Sequence, residues 1–226
     1  MSKLSTLLDA HCMSLSACRA CNHAPGIVPI LSASRAPRAM LVGQAPGKVE
    51  AVGGRAFAGR AGKTLFRWLE RAGVDEITAR ERIYIAAVTR CFPGPNRSGR
   101  GDRVPSPQEQ ARCGQWLDAE LAIIRPKLVI PVGKLAILRF LPNVPLDELI
   151  GREHSIQTAG GSVNVIPLPH PSGASSWIYQ GDHPKLLNRA IRLLGQRLRD
   201  AGITKEQVQE SATTAGNGPA KSRSVA

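Results

Sequence analysis

The sequence predicts an α/β fold: one domain with a central four-stranded parallel sheet flanked by helices. Two observations predict it. Short apolar runs of strand length alternate with segments whose apolar residues recur at helical spacing, the order expected of strands joined by helical crossovers. The chain of 226 residues is also long enough for one such domain with a real core and too short for two.

Residues 1–36 read as irregular apart from a short helix near 4–10, and they carry Cys12, Cys18 and Cys21. The run 39–42, closed by Gly43, reads as a buried first strand. A glycine-rich loop follows to Arg60. Over 64–72, Leu65, Trp68, Leu69 and Ala72 share one helical face, and Gly73 ends it. Residues 83–88 form the second strand, and a Gly/Pro/Arg-rich loop spans 90–104. Ser106, Pro107 and Glu109 then supply a cap, a first-turn proline and a capping-box acid for a helix running to about 124. The third strand is 128–132, a short helix covers 135–141, and the fourth strand is 163–168. The last helix starts near Asp182 and places Leu186, Leu187, Ala190, Leu193, Leu194 and Leu198 on one stripe. The domain is expected to occupy 1–205. Residues 206–226 are small and polar and read as a disordered tail.

Composition narrows the partners. Thirty Lys and Arg against 17 Asp and Glu give a net charge of +13, which points to a polyanion and first to nucleic acid. With aromatics at 4%, the core must be built mainly of Leu, Ile, Val and Ala. No stretch approaches the ~18 apolar residues of a membrane span. The N-terminus lacks a signal-peptide pattern, so a cytoplasmic location is expected. There, five cysteines are free or metal-bound rather than paired in disulfides, and their odd number agrees. In a parallel sheet, ligands bind beyond the carboxyl ends of the strands. This brings the loops after Val42, Val88 and Leu168 to one site.

Those loops carry a resemblance. Gly43-Gln44-Ala45-Pro46-Gly47, then Glu50, then Gly54-Arg55-Ala56-Phe57-Ala58-Gly59-Arg60-Ala61-Gly62 resembles the first signature of the uracil-DNA glycosylase superfamily, closest to its bacterial iron–sulfur (family 4-like) branch. His170-Pro171-Ser172 resembles the second. Cys18-x-x-Cys21, Cys91 and Cys113 resemble that branch's four-thiolate pattern. Four cysteines can hold either an iron–sulfur cluster or zinc; the resemblance favours a 4Fe–4S cluster, with Cys12 left free. A buried, structural Cys113 beside an incidental N-terminal pair is the plainer alternative.

The resemblance implies hydrolysis of the N-glycosidic bond of uracil in DNA. His170 would stabilise the departing uracil anion, a charge that develops only in the transition state. Gln44 and the backbone near it would bind the base or a water, though an amide is no general base. Glu50 is either a water-positioning group or a solvated loop charge. Phe57 matches the aromatic that stacks on the flipped base. Ala45 stands where some relatives carry Asp, and Ala87 where the family's second strand carries an Asn that reads uracil. Base specificity is therefore less defined than the reaction class. Flipping the base needs a wedge and phosphate clamps, for which Ser172, Trp177, Arg60, Arg97, Arg100 and Arg103 are the expected residues. A related group that traps DNA covalently has a histidine in the 90–103 loop. None stands here, so turnover on uracil-containing DNA by a monomer is expected. A non-catalytic iron–sulfur or zinc DNA-binding module, or a glycosylase for other deaminated bases, are the competing readings.

Overall fold

A computed structural model describes residues 2–204, except 22, 25, 100, 159 and 173–175. The expected disordered tail at 206–226 lies outside the described residues. Five strands form one sheet: β1 (Ala39–Gly43), β2 (Ile83–Ala87), β3 (Leu128–Pro131), β4 (His154–Thr158) and β5 (Gly161–Val165), in the order β2-β1-β3-β5-β4. Pairings among β2, β1, β3 and β5 are parallel, while β4 runs antiparallel to β5. The expected four-stranded parallel sheet thus gains an antiparallel edge. The edge strand lacks an apolar run because one side of it faces solvent: along His154–Thr158 the residues alternate between half-buried and exposed. The strand expected at 163–168 begins two residues earlier, in the hairpin with β4. Its continuation stays tied to the sheet, with Ile166 N–H donating to Val129 O and Leu168 N–H to Pro131 O.

β1 and β3 are buried along their whole length, as their unbroken apolar runs require of strands covered on both faces. Three helices lie between β1 and β2: α2 (Lys48–Gly53), α3 (Arg60–Arg71) and α4 (Glu76–Arg82). α5 (Pro107–Ile124) joins β2 to β3, with Ser106 and Glu109 forming the expected capping box. Moving from β1 to β2 and then back across β1 to β3 puts these two connections on opposite faces if each crossover is right-handed. Beyond β3 come α6 (Lys134–Leu138) and α7 (Leu146–Leu149), and then a 3₁₀ turn, Trp177–Tyr179. α8 (His183–Asp200) packs against α3. Among the described residues no helix is long and apolar enough to cross a membrane.

The largest departure is at the N-terminus. Instead of a short helix near 4–10, α1 spans Lys3–Ser16 and packs on α5 through a stripe of Leu8, His11, Cys12 and Leu15. The stripe includes a histidine, so apolarity alone undercounts it. Its partner is Glu120, fully buried on α5. Glu120 accepts from Tyr84 Oη at 2.9 Å and from the Arg90 guanidinium, and His11 Nε2 lies 3.1 Å away. A carboxylate this deep is tolerable only with such partners. This buried network ties α1, β2 and α5 into one block.

Candidate active site and cysteine cavity

The carboxyl ends of β1, β2 and β3 open onto a cavity of about 440 Å³. Gln44, Phe57, Ala87 and His170 all line it, so residues from three distant segments meet as the strand-end argument expects. The first-motif loop is shaped by glycine and one carboxylate. A Cβ on Gly43 would stand 2.9 Å from the Phe57 ring, and one on Gly62 only 1.8 Å from the Phe57 carbonyl oxygen. Phe57 itself has a left-handed backbone, φ +54°, which costs a non-glycine residue about 1–2 kcal/mol. Arg80, on α4, donates to the Ala56 carbonyl at 2.9 Å and holds that bend from behind. Glu50 closes the loop: its two oxygens accept the Gly47 and Gly59 backbone N–H groups at 3.1 and 3.0 Å. It therefore clips the starts of α2 and α3 together.

His170 is oriented before any ligand arrives. Its Nδ1 accepts the Ser172 backbone N–H at 3.2 Å and lies 2.8 Å from the Ser172 hydroxyl. A backbone amide can only donate, so Nδ1 carries no proton and the hydrogen sits on Nε2. Burial lowers the imidazole pKa below its ordinary value, which also favours this neutral donor. Gly133, at φ +86°, makes room for the ring: a Cβ there would stand 2.9 Å from His170 Cδ2. Ala45 and Ala87 line the cavity without polar side chains.

The expected DNA-contacting residues divide. Arg60, at the start of α3, and Arg97 are exposed. Arg103 is engaged in a two-pronged pair with Glu109, at 2.7 and 2.6 Å, so its charge is spent inside the protein. Arg100 lies outside the described residues, as do the three residues after Ser172. Trp177 stacks on His183 with ring centroids 4.1 Å apart and packs against the core, an anchored rather than a free aromatic. Sequence reasoning missed Asn96, Asp102 and Arg90 in the cavity wall. All three lie in or beside a loop read only for its positive charge.

A second, largely apolar cavity lies on the other side of Arg90. Cys18, Cys21, Cys91 and Cys113 all line it, and no disulfide forms among them. Among the described residues no group of three or more His, Cys, Asp or Glu side chains is placed to hold a metal ion, although the four cysteines share this one cavity. Burial and the neighbouring thiols push Cys91 up to about 12, and burial pushes Cys113 up to about 11. The Arg90 backbone N–H donates to Cys113 Sγ at 3.2 Å, and α1 leads directly into the first cysteine pair.

Comparison with known proteins agrees with this architecture. The family model described as the uracil DNA glycosylase superfamily matches residues 31–195. A type-4 uracil-DNA glycosylase of Thermotoga maritima is 37% identical over 135 residues, covering 60% of this chain and 65% of that protein. The type-4 enzyme of Archaeoglobus fulgidus is 30% identical over 178 residues, covering 73% and 81%. A type-5 uracil-DNA glycosylase of Pyrobaculum aerophilum is 30% identical over 149 residues, covering 60% and 61%. The aligned region thus spans just under two thirds of the Thermotoga and Pyrobaculum proteins. With the model covering most of the chain and both motifs meeting in one cavity, this protein belongs to the uracil DNA glycosylase superfamily, among relatives of type 4.

Proposed function

We propose that this protein hydrolyses the N-glycosidic bond of uracil in DNA and leaves an abasic site. The observation that carries the reading is the fixed tautomer of His170, which presents a neutral Nε2–H in the same cavity as Phe57 and Gln44. A base inside a duplex is unreachable, so the nucleotide must be extruded or met in a single strand. Phe57 offers the flipped base a stacking face. His170 then donates to a uracil carbonyl oxygen, and its bond strengthens as the glycosidic electron pair moves into the ring. A donor placed in advance for a developing oxyanion contributes on the order of 10²–10³ in rate. The Gln44 amide can both donate to and accept from the base edge. With Ala87 silent, discrimination rests on Gln44 and nearby backbone groups, a sparse set that leaves room for other deaminated bases. Of the cations expected at the DNA, Arg60 and Arg97 are exposed and available to phosphates.

The four-cysteine cavity supports a bound iron–sulfur cluster held by Cys18, Cys21, Cys91 and Cys113. Four cysteine ligands suit either such a cluster or zinc, and the resemblance to the iron–sulfur branch favours the cluster. When bound, the cluster supplies a cross-link between the N-terminal segment, the loop after β2 and α5.

The test is cleavage of a labelled oligonucleotide carrying one deoxyuridine, read as alkali-sensitive strand scission. Wild type should cut, and His170→Ala should cut at least 100-fold more slowly, in line with the loss of one oxyanion donor. An intact uracil strand beside a cleaved hypoxanthine strand would move the substrate to another deaminated base. No scission of either would favour a binding module.

A further inference from the structure

We propose that Asp102 is a catalytic residue of this site: its carboxylate holds the attacking water and takes up a proton from it. The proposal rests on the glycosylase reading above and adds to it the base that the first motif lacks.

Hydrolysis needs a water delivered to the sugar carbon on the face opposite the departing base, and a group to receive its proton. The other candidates in the cavity either carry no basic group or already hold another part of the site. Ala45 has no functional side chain. Gln44 is an amide and takes no proton near neutral pH. Glu50 accepts a backbone N–H on each oxygen, at 3.1 and 3.0 Å, so moving its carboxylate toward a water would loosen the loop it ties. His170 faces the leaving group with its only ring proton on Nε2.

Asp102 lines the same cavity as these residues and is held by backbone pairing at both ends of its loop. Its backbone pairs with that of Pro95 in an isolated antiparallel bridge. Asn96 N–H donates to Gly101 O at 2.7 Å, and Arg103 N–H to Gly94 O at 3.0 Å. The Arg103–Glu109 pair then anchors the loop's far end to α5. The hairpin so formed lays the Asp102 carboxylate across the start of α2: a Cβ on Gly47 would meet an Asp102 oxygen at 2.7 Å. The Lys48 backbone N–H donates to it, and a carboxylate has about four lone-pair sites, so this bond leaves room for a water. The residue is also exposed, as a group that recruits solvent must be. Partial burial and the adjacent Glu50 charge raise its pKa above the ordinary 3.8, against the opposing pull of Lys48. That makes it a better proton acceptor than a free surface aspartate.

The step balances with nothing added. The water oxygen bonds to the sugar carbon while the carbon–nitrogen bond breaks, its electron pair staying on the base. One water proton passes to Asp102 and from there to solvent. The uracil anion, held by His170, gains a proton on release.

Single-turnover excision of uracil from a single-stranded oligonucleotide, with substrate concentration varied, tests this on wild type, Asp102→Asn, Asp102→Ser and Glu50→Gln. Asparagine and serine both keep an acceptor for the Lys48 N–H, so a purely structural role survives these changes. The expected result is a rate constant at saturation lowered on the order of 100-fold in both Asp102 variants. The half-saturation concentration should hold within about twofold, the signature of an interaction made only in the transition state, and the melting temperatures should match wild type. Asp102 variants as fast as wild type, or changed only in half-saturation, overturn the proposal. So does a rate collapse confined to Glu50→Gln, which would give the water to Glu50. A wild type that leaves uracil in place overturns the underlying glycosylase reading as well, and that outcome is distinct from the others.

Discussion

Phe57 shows how much of the site is held by single atoms. Its left-handed backbone, the Gly62 hydrogen beneath its carbonyl and the Gly43 hydrogen beside its ring form one arrangement. The two glycines were legible as part of a signature, but the reason for them was not. Spacing along the chain cannot reveal that Gly62 exists to let the Phe57 carbonyl approach. Gly133 was less legible still, because it lies outside both motifs and matters only through contact with His170. Gly62→Ala should therefore act on the base rather than on the fold at large. Pushing Phe57 away costs about 1–3 kcal/mol as an overpacked contact. Part of this appears as weaker substrate binding, with half-saturation on a uracil oligonucleotide raised about tenfold. Unchanged half-saturation would mean that the ring does not stack on the base.

At the scale of elements, α5 and α8 were readable because their signals are local: a capping box and first-turn proline in one, a leucine stripe in the other. β4 and the full length of α1 were not. β4 has one wet face, and α1 completes its buried face with His11, whose partner lies 109 residues away. Such a pairing has no trace in periodicity. It also predicts where the fold is most brittle. Glu120→Ala removes the acceptor of Tyr84 and Arg90 together and strands a guanidinium that is 2% exposed. The expected loss is about 3–5 kcal/mol in urea unfolding, with α1 loosened from α5. A loss below about 1 kcal/mol would mean that water or a rearranged Arg90 replaces the carboxylate.

For the whole molecule, a parallel sheet flanked by helices and the meeting of the motifs at strand ends followed from general rules that need no contact information, whereas the strand order did not. The details of the cavity wall did not, because Asp102 and Asn96 sit in a loop whose composition speaks only of charge. The cysteine cavity adds a global constraint, since its four thiols come from the N-terminal segment, the loop after β2 and α5. Cys18→Ser should lower the melting temperature by several degrees and reduce the bound iron and acid-labile sulfide of the purified protein. An unchanged melting temperature would limit the cavity to a passive role, and zinc in place of iron would exclude the cluster.

The long reach between these cysteines has a consequence in time. Cys21 leaves the ribosome early, whereas Cys113 follows 92 residues later, an interval of roughly 5–20 s at ordinary rates of synthesis. Throughout it the first thiol pair is unsheltered, since α5, against which α1 packs, does not yet exist. Closing the cavity must then be a late act in the birth of the chain. If the proposed cluster forms there, a cell short of iron or sulfide at that moment would release molecules whose first segment is held without it, by the packing of α1 on α5 and the His11–Glu120 contact.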